Sequence, residues 1–402
     1  MIWSISLFHF QIRFQLLGDL SSENKNYNQT KKKPRKRYAG NEILDLTNSN
    51  PTKLGLEFPP GALSHILSSL DLSQYDPLAE GLESTRSVIV TDYKTRGIQT
   101  ETSDLILTAS TSEAYSYIFK LFTNPGDEVL TPNPGYPLFS FLIGLENLKE
   151  VHYPLKEDPE TGQWIYSAET IANCVSTKTK LIVLVSPANP TGSRTTASFW
   201  KEWERIGIKI PILLDEVFVG YEFSGEAHEI PDEPTFPLLV CNGFSKMLAL
   251  PGLKLGWILN KSPKHFRSEI QKNLGFIADT YLSVNSPVQL ATPELIPWKL
   301  MVQNRIRTRI MRNLAECEYF SKENPKIKTK SHSEAGWYYL FELDMENKDE
   351  DLVLEILLNA KVFLHPGSWY GFSHNRCTLV VSLISEEETL RNALATLQSY
   401  LK

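Results

Sequence analysis

Four polar segments of this 402-residue chain each follow a short apolar run and contain side chains that could bind a ligand or react. They cover residues 108–112, 186–192, 215–218 and 242–246. Lys246 offers an amine, which can act as a base or a nucleophile. Asp215 offers a carboxylate, which needs a cation or hydrogen-bond donors if it is buried at a strand end. A surface lysine and a helix-capping aspartate are the alternatives, but the four segments together favour one reactive site.

The segment at residues 108–112 has the residue types of an anion site. Ser110, Thr111 and Ser112 open a helical pattern. Backbone N–H groups and hydroxyls at a helix N-terminus bind anions, and they suit a phosphate. Taken alone, the same residues are better explained as a simple helix cap, so this segment gains weight only from the other three.

The segment at residues 186–192 holds a stiff side-chain amide. Asn189 lies between Pro187 and Pro190, and each proline ring fixes its own φ and restricts the residue before it. A stiff backbone is suited to aiming a hydrogen bond at a ligand. A loop built from turn-forming residues is an equally good explanation of this segment on its own.

The elements that must position these segments form an α/β pattern. Six short apolar runs bounded by turn residues predict buried strands at residues 105–108, 128–131, 181–186, 212–214, 238–241 and 255–259. Helical patterns at residues 112–122 and 196–206 lie between some of them. Strands alternating with helices predict a mostly parallel sheet with helices on both faces. Ligands bind outside the carboxyl ends of such strands, which is where the polar segments fall.

The pattern changes after residue 285. A long helix is predicted at residues 297–320, strands at 336–343 and 378–383, and amphipathic helices at 350–359 and 386–401. We therefore expect an extension at residues 1–40, a segment at 41–70 that joins a small α+β domain, a large domain at 71–285 and the small domain at 286–402.

Composition excludes several function classes. A net charge of −6 gives no general attraction to nucleic acid or to an anionic membrane, and the basic run at residues 31–37 is interpreted as a solvated linker rather than a nucleic-acid patch. Arg13 and Asp19 interrupt the apolar N-terminus, which is too short to span a membrane and has the wrong order for a secretory signal. Four scattered cysteines predict reduced thiols in a cytoplasmic protein with no metal site.

The order of these segments resembles the class I/II aminotransferases, which are pyridoxal-phosphate (PLP) enzymes of fold type I. The resemblance runs from about residue 43 to the C-terminus and rests on short pieces in the family's order. These are NSNPT at 48–52, residues 75–81, STSEA at 110–114, NPGYP at 133–137, SPANPTG at 186–192, DEVF at 215–218, FSK at 244–246, PGLKLGW at 251–257, GWYY at 336–339 and HPG at 365–367.

The resemblance implies a role for each reactive residue. Lys246 would hold the cofactor as a Schiff base and then move a proton at the substrate α-carbon. Asp215 would keep the pyridine nitrogen protonated, Asn189 would bond the ring's phenolic oxygen, and Tyr136 would stack on the ring. The like charges of the nearby pyridinium and of Lys254 would lower the pKa of Lys246.

The resemblance also implies binding sets. The cofactor phosphate would be bound by Ser110, Thr111, Ser112, Ser245 and Lys254. Tyr75 would reach the phosphate of a neighbouring subunit, which implies a homodimer with shared active sites. The substrate would contact Ser49, Asn50, Asn189 and Arg376.

Three positions depart from the family pattern. Lys254 stands where the family usually has an arginine, which keeps the charge but loses the bidentate fork. Phe218 stands where a tyrosine commonly donates to the phenolic oxygen. Val380 stands where an arginine usually binds the substrate carboxylate, and Arg376 is the nearest arginine in sequence.

The predicted function is transfer of an amino group between an amino acid and a 2-oxo acid. A β-elimination (C–S) lyase or a decarboxylase on the same scaffold is the first alternative, because such reactions use the same lysine and aspartate. A non-catalytic PLP-binding protein is the second, although the presence of Lys246, Asp215 and Asn189 argues against it. The amino donor and acceptor stay open.

Overall fold

The computed structural model describes residues 43–223, 229–327, 333–345, 348–373 and 375–401, so the predicted extension at 1–40 and its basic run lie outside the described residues. The strands are β1 Leu44–Asp45, β2 Leu105–Thr108, β3 Glu128–Asn133, β4 Lys149–Pro154, β5 Lys156–Glu157, β6 Trp164–Ile165, β7 Thr179–Val185, β8 Ile212–Asp215, β9 Leu238–Gly243, β10 Gly256–Asn260, β11 Tyr338–Leu343, β12 Val362–Phe363, β13 His365–Pro366 and β14 Cys377–Ser382. The α-helices are α1 Pro60–Ser68, α2 Glu83–Thr95, α3 Thr111–Phe122, α4 Phe139–Leu145, α5 Ala168–Asn173, α6 Ala197–Ile206, α7 Phe244–Met247, α8 Lys264–Tyr281, α9 Ser286–Leu295, α10 Lys299–Glu323, α11 Asp349–Ala360 and α12 Glu387–Tyr400.

A seven-stranded sheet in the order β2-β10-β9-β8-β7-β3-β4 contains all six strands predicted from the apolar runs. The neighbours from β9 to β4 pair in parallel, whereas β10 is antiparallel to both β2 and β9. The carboxyl ends of β2, β7, β8 and β9 therefore lie along one side of the sheet, which we call its carboxyl edge. Because β10 runs the other way, its first residue lies at that same edge, where Gly256 pairs with Thr108 and with Gly243.

The first turn of α3 packs tightly on this edge. A Cβ atom at Gly256 would lie 2.8 Å from the carbonyl carbon of Ser110 and 3.0 Å from the nitrogen of Thr111. Only glycine allows such a close approach of two backbone segments. Gly256 thus holds the start of α3 beside the strand ends.

The C-terminal part adds a second, smaller sheet in which β14 lies between β11 and β13, antiparallel to both. β1 pairs in parallel with β12, and the Ser382 nitrogen donates to the Leu46 carbonyl at 2.8 Å, so the start of the described chain lies against its end. The long helix begins at Lys299 rather than at residue 297, because Pro297 lies in a short 3-10 turn, Ile296–Trp298. The proposed division at residue 285 stays a prediction.

One continuous cluster of buried side chains runs through both regions. They also meet at the carboxyl end of β3, where the Gly135 nitrogen donates to the Tyr370 carbonyl at 2.8 Å. Of the helices that the structure describes, none has the length and hydropathy needed to cross a membrane.

Candidate active site

Asp215 is the last residue of β8 and is 5% exposed. Its carboxylate accepts hydrogen bonds from the Val217 nitrogen at 2.9 Å and from the Tyr115 hydroxyl. Burial raises the pKa of Asp215 to about 6, and the two hydrogen bonds oppose the rise. The carboxylate is therefore anionic at neutral pH but retains some affinity for a proton.

Lys246 lies in α7, the short helix that follows β9. Its Nζ lies 4.6 Å from the centre of the Trp337 ring and 5.7 Å from that of Phe218. Burial lowers the pKa of Lys246 to about 8, and the charge of Asp215 opposes the fall. Burial is thus the cause of the lowered pKa, where sequence reasoning expected the like charges of the pyridinium and of Lys254. A lysine with this pKa offers a neutral, nucleophilic amine far more often than a solvated one.

Asn189 follows β7 and is 6% exposed, and its Oδ1 is buried without a hydrogen-bond partner among the described residues. Buried amide groups normally have partners, so an unsatisfied one at the strand ends points to a ligand. Tyr338 lies beside it. Burial raises the pKa of the Tyr338 phenol, and polar interactions with the Ser49 and Asn189 side chains oppose that rise.

A cavity of about 360 Å³ opens in front of Lys246. Ser49 and Asn50 line it together with Ser245 and Lys246, so the structure brings together two predicted substrate residues and two predicted cofactor residues. This volume falls within the range of small-molecule sites.

The predicted phosphate residues lie at the start of α3 and before β10. Ser110 caps α3, and its hydroxyl accepts from the Glu113 nitrogen at 3.2 Å, so this side chain serves the helix. Thr111 and Ser112 form the first turn, where backbone N–H groups point outward. Lys254 is exposed and adopts a left-handed conformation with φ of 58°, two residues before β10. Their roles toward a phosphate stay predictions.

The two predicted tyrosines differ in their surroundings. Tyr136 is 39% exposed and meets the Phe139 ring edge-on at 5.8 Å. Burial, with Tyr338 and Asp215 nearby, raises the pKa of Tyr136 to about 12. Tyr75 is 63% exposed and so does not contribute to its own chain's core.

Arg376 is placed away from the site, contrary to the substrate contact expected from its sequence position. Its guanidinium pairs with Glu157 at 2.6 Å and with Glu342, and lies 5.2 Å from the Trp164 ring centre. Glu342 pairs with Thr378, whereas Tyr338 pairs with Ser382. Positions 338 and 342 are four residues apart along β11, so the two pairs lie about 13 Å from each other. Arg376 therefore lies beyond the opposite end of β11 from the residues near Lys246.

Sequence reasoning missed a buried network beneath Asp215. Glu216 is fully buried and binds Arg96 with both carboxylate oxygens, at 3.0 and 2.6 Å. It also accepts from the Tyr93 hydroxyl at 2.6 Å and from the Asn242 amide at 3.1 Å. Its only signal in the sequence is its position after Asp215. Tyr115, Trp337 and Tyr338 were also missed, because aromatic residues in apolar patterns predict core.

Residues 69–397 match the family model for aminotransferase class I and II. The chain belongs to the class I and II aminotransferases. Among its relatives, the glutamate-pyruvate aminotransferase AlaA of Haemophilus influenzae is 29% identical over 379 residues, which cover 90% of this chain and 92% of the relative. An alanine aminotransferase of Mycobacterium tuberculosis is 27% identical, covering 83% of this chain and 80% of the relative. A solved alanine aminotransferase from Pyrococcus furiosus has a TM-score of 0.81 at 24% identity, covers 90% of this chain and 93% of that chain, and has the same fold.

The fold is that of the PLP-dependent transferases of fold type I, and the chain is a PLP-dependent aminotransferase that acts on amino acids and 2-oxo acids. The described residues fit that cofactor. A lysine with a lowered pKa, a buried carboxylate at a neighbouring strand end and an amide with an unsatisfied oxygen are all present at one edge of the sheet. The first turn of α3 presents backbone N–H groups of the kind that bind a phosphate.

Proposed function

We propose that this aminotransferase holds its cofactor covalently on Lys246 and uses that residue to move the proton in amino transfer. The coupling between Lys246 and Asp215 carries the proposal, because the carboxylate's charge raises the pKa of an amine that burial otherwise lowers. The register supports this, because Asp215 pairs with Cys241 near the ends of β8 and β9 and Lys246 lies in the helix that follows β9.

The cofactor, when bound, supplies an electron sink for the pair of electrons left on the substrate α-carbon. Lys246 would hold the cofactor through its ε-amine and would act as the base at the substrate α-carbon. Asp215 would keep a proton on the ring nitrogen, since an anionic carboxylate favours a cation beside it. The Tyr115 hydroxyl orients that carboxylate and supports its anionic form.

Other residues bind and enclose the cofactor. Asn189, whose buried Oδ1 has no partner among the described residues, would accept a hydrogen bond there from the phenolic hydroxyl of the cofactor. Trp337 and Phe218 pack around Nζ of Lys246 and shield it from water on that side. A dry surrounding strengthens the electrostatic interactions on which proton transfer depends.

Glutamate as amino donor and pyruvate as acceptor, with alanine as the product, are the substrates that the relatives' names support. We propose them for this chain.

We also propose a cytoplasmic homodimer. The four cysteines are unpaired, as is usual in a reducing compartment. The large exposure of Tyr75 suits a side chain that reaches a second subunit.

Borohydride reduction followed by peptide mapping tests the lysine assignment. We expect the purified protein to show an absorbance band that borohydride removes, with the cofactor fixed to Lys246. Lys261 is an internal control, because burial also lowers its pKa but its Nζ donates to the Gln99 carbonyl at 2.9 Å, away from the site. A label on Lys261 instead of Lys246 would overturn the assignment.

The Lys246→Ala variant extends this test. Its circular dichroism spectrum should show that it stays folded. It should lose the covalent link to the cofactor, and it should lose turnover with a panel of amino-acid donors and 2-oxo acid acceptors. Normal transamination by this variant would contradict the proposed role. Product identification in the same panel separates amino transfer from elimination or decarboxylation.

A further inference from the structure

Tyr338 and Val380 lie on the same face of the small sheet. Tyr338 pairs with Ser382 and Leu340 pairs with Val380 in the β11–β14 register. Side chains alternate between faces along a strand, so positions 338, 340, 380 and 382 share one face. Tyr338 is thus a diagonal neighbour of position 380, within reach of any side chain there.

This face is directed toward Lys246. The Tyr338 ring meets the Phe218 ring edge-on with centroids 6.3 Å apart, and the Phe218 ring centre lies 5.7 Å from Nζ of Lys246. Tyr338 is 8% exposed. Its neighbour in sequence, Trp337, is the ring nearest to the same amine.

Polar side chains meet the Tyr338 hydroxyl from two other elements. Ser49 comes from the segment after β1 and lines the cavity in front of Lys246. Asn189 comes from the loop after β7, and its buried Oδ1 has no partner in the part of the chain that the structure describes. Three neutral groups therefore converge beside the reactive amine. The Asn189 Oδ1 can only accept, so a hydrogen for an anion must come from the Tyr338 or Ser49 hydroxyl or from the Asn189 amide nitrogen.

The arginines nearest to this region in the sequence are already engaged. Arg194 binds Glu334 at 2.7 Å, and Arg376 binds Glu157 and Glu342. Position 380 itself holds a buried valine, 1% exposed. A carboxylate brought to this face must find donors other than these guanidinium groups, since a buried anion without partners is costly.

We propose that Tyr338 binds the α-carboxylate of the amino-acid substrate by donating its phenolic hydrogen, with Ser49 and Asn189 beside it. This inference rests on the proposed function, because it assigns a substrate contact within the same site. A phenol stays protonated throughout the neutral pH range, so the donor is always available. It offers a single hydrogen bond, whereas an arginine at position 380 would offer a bidentate pair.

Equilibrium binding of two unreactive amines to the cofactor-loaded full-length protein tests the proposal. 2-Aminoisobutyrate has a carboxylate, whereas tert-butylamine has a methyl group in its place, and neither has an α-hydrogen to lose. We expect Tyr338→Phe to raise the dissociation constant of 2-aminoisobutyrate about tenfold or more, as for loss of a hydrogen bond to a charged group. The constant for tert-butylamine should change less than about twofold. Absorbance changes report both.

Tyr339→Phe is the matched control. Tyr339 is adjacent on β11 but points to the other face, where its hydroxyl lies 3.1 Å from the Ser321 hydroxyl. It should leave both constants unchanged. Equal weakening of both amines by Tyr338→Phe, or no weakening of either, would overturn the assignment. With a natural amino acid, the substitution should raise KM more than it lowers kcat.

The outcome is separable from that of the proposed function. If borohydride fixes the cofactor to Lys246 but the wild-type protein gives no spectral response to 2-aminoisobutyrate, the Tyr338 proposal fails and the cofactor assignment stands. If no cofactor is fixed to Lys246, the proposed function itself fails.

Discussion

Burial moves the ionisation of Lys246 and Asp215 in opposite directions. The pKa of the amine falls to about 8, and that of the carboxyl rises to about 6. One physical cause explains both, because each group loses hydration of its charged form. Between the two values both groups are charged, and above about pH 8 the amine becomes neutral while the carboxylate stays anionic. That combination is what covalent attachment of the cofactor requires.

The pH dependence of cofactor attachment follows from these values. Below pH 8 the neutral fraction of Lys246 falls about tenfold per pH unit. We therefore expect the rate at which the apoprotein attaches PLP to rise with pH and to level off above about 8. Stopped-flow absorbance at a fixed cofactor concentration measures it. A midpoint near 10, as in a solvated lysine, would contradict the burial of the amine.

The Asp215→Asn variant, measured in the same cofactor-attachment assay, shows in which direction the charge of Asp215 shifts the pKa of Lys246. The charge of Asp215 raises the pKa of Lys246, so its removal should move the midpoint to lower pH. Asp232→Asn is the control, because Asp232 acts on Lys261 instead. An upward shift in Asp215→Asn would contradict the proposed arrangement.

At the scale of elements, β8 and β9 are joined beneath the site by the buried pair of Glu216 and Arg96. Glu216 follows Asp215 directly, and its carboxylate accepts from the side-chain amide of Asn242, the next-to-last residue of β9. The network fixes both strand ends relative to α2, which carries Tyr93. The spacing between Asp215 and Lys246 therefore depends on this pair.

Removing one partner of this pair should be costly. Arg96→Met leaves a buried carboxylate without its cation, and we expect the free energy of unfolding to fall by about 3–5 kcal/mol. The double variant Arg96→Met/Glu216→Gln should recover part of that loss, because the uncompensated charge is gone. Urea unfolding followed by circular dichroism measures both.

An exposed ion pair provides the control for that measurement. Arg205 and Glu202 lie 3.8 Å apart on α6, with side chains 75% and 41% exposed. Arg205→Met should change the free energy of unfolding by less than about 1 kcal/mol. Losses of equal size at Arg96 and Arg205 would show that the buried network has no special role.

Strands were predicted well from the sequence where both faces of the strand are buried. β2, β7, β8 and β9 are continuous apolar runs, and the polar segments after them lie at one edge as expected. β4 was missed because this edge strand is largely exposed and reads as polar. The reversed direction of β10 depends on the partners that it finds, and no local pattern encodes that.

The same reasoning explains which site residues could be predicted. Lys246, Asp215 and Asn189 come directly after buried runs, so their strands place them. Tyr338 comes at the start of a strand far along the chain, and only the pairing of the small sheet brings it to Asn189. Arg376 was placed wrongly because closeness in sequence to Val380 does not give closeness to the site along a strand.

At the scale of the molecule, two adjoining stretches of the chain carry exposed apolar side chains. Leu72, Tyr75 and Leu78 are 54%, 63% and 38% exposed, and Phe276 and Leu282 are 75% and 72% exposed. The Ser283 hydroxyl donates to the Leu78 carbonyl at 3.3 Å, so the two stretches adjoin. Contiguous exposed apolar surface commonly marks a protein interface. We propose this surface as the contact with the second subunit of the proposed dimer.

Substitution on that surface tests the dimer. Phe276→Asp should shift the protein from dimer to monomer in sedimentation velocity and should lower cofactor affinity, since Tyr75 would lose its partner. Leu145→Asp is the control, because Leu145 is 78% exposed but lies elsewhere. It belongs to α4, next to β4, and β4 and β2 are the two outermost strands on opposite sides of the sheet. A monomeric wild-type protein at assay concentrations would contradict the shared site.

The hydrogen bond from the Gly135 nitrogen to the Tyr370 carbonyl joins the loop that carries Tyr136 to the turn after β13. The joint is tight, because a Cβ at Gly371 would collide with the Asn133 side chain. If the C-terminal sheet swings when a substrate enters, it must take this loop with it or break the bond. The Tyr136 ring, which is predicted to cover the cofactor, would then move together with the groups that are proposed to hold the substrate. Closure over the substrate would therefore also be closure over the cofactor.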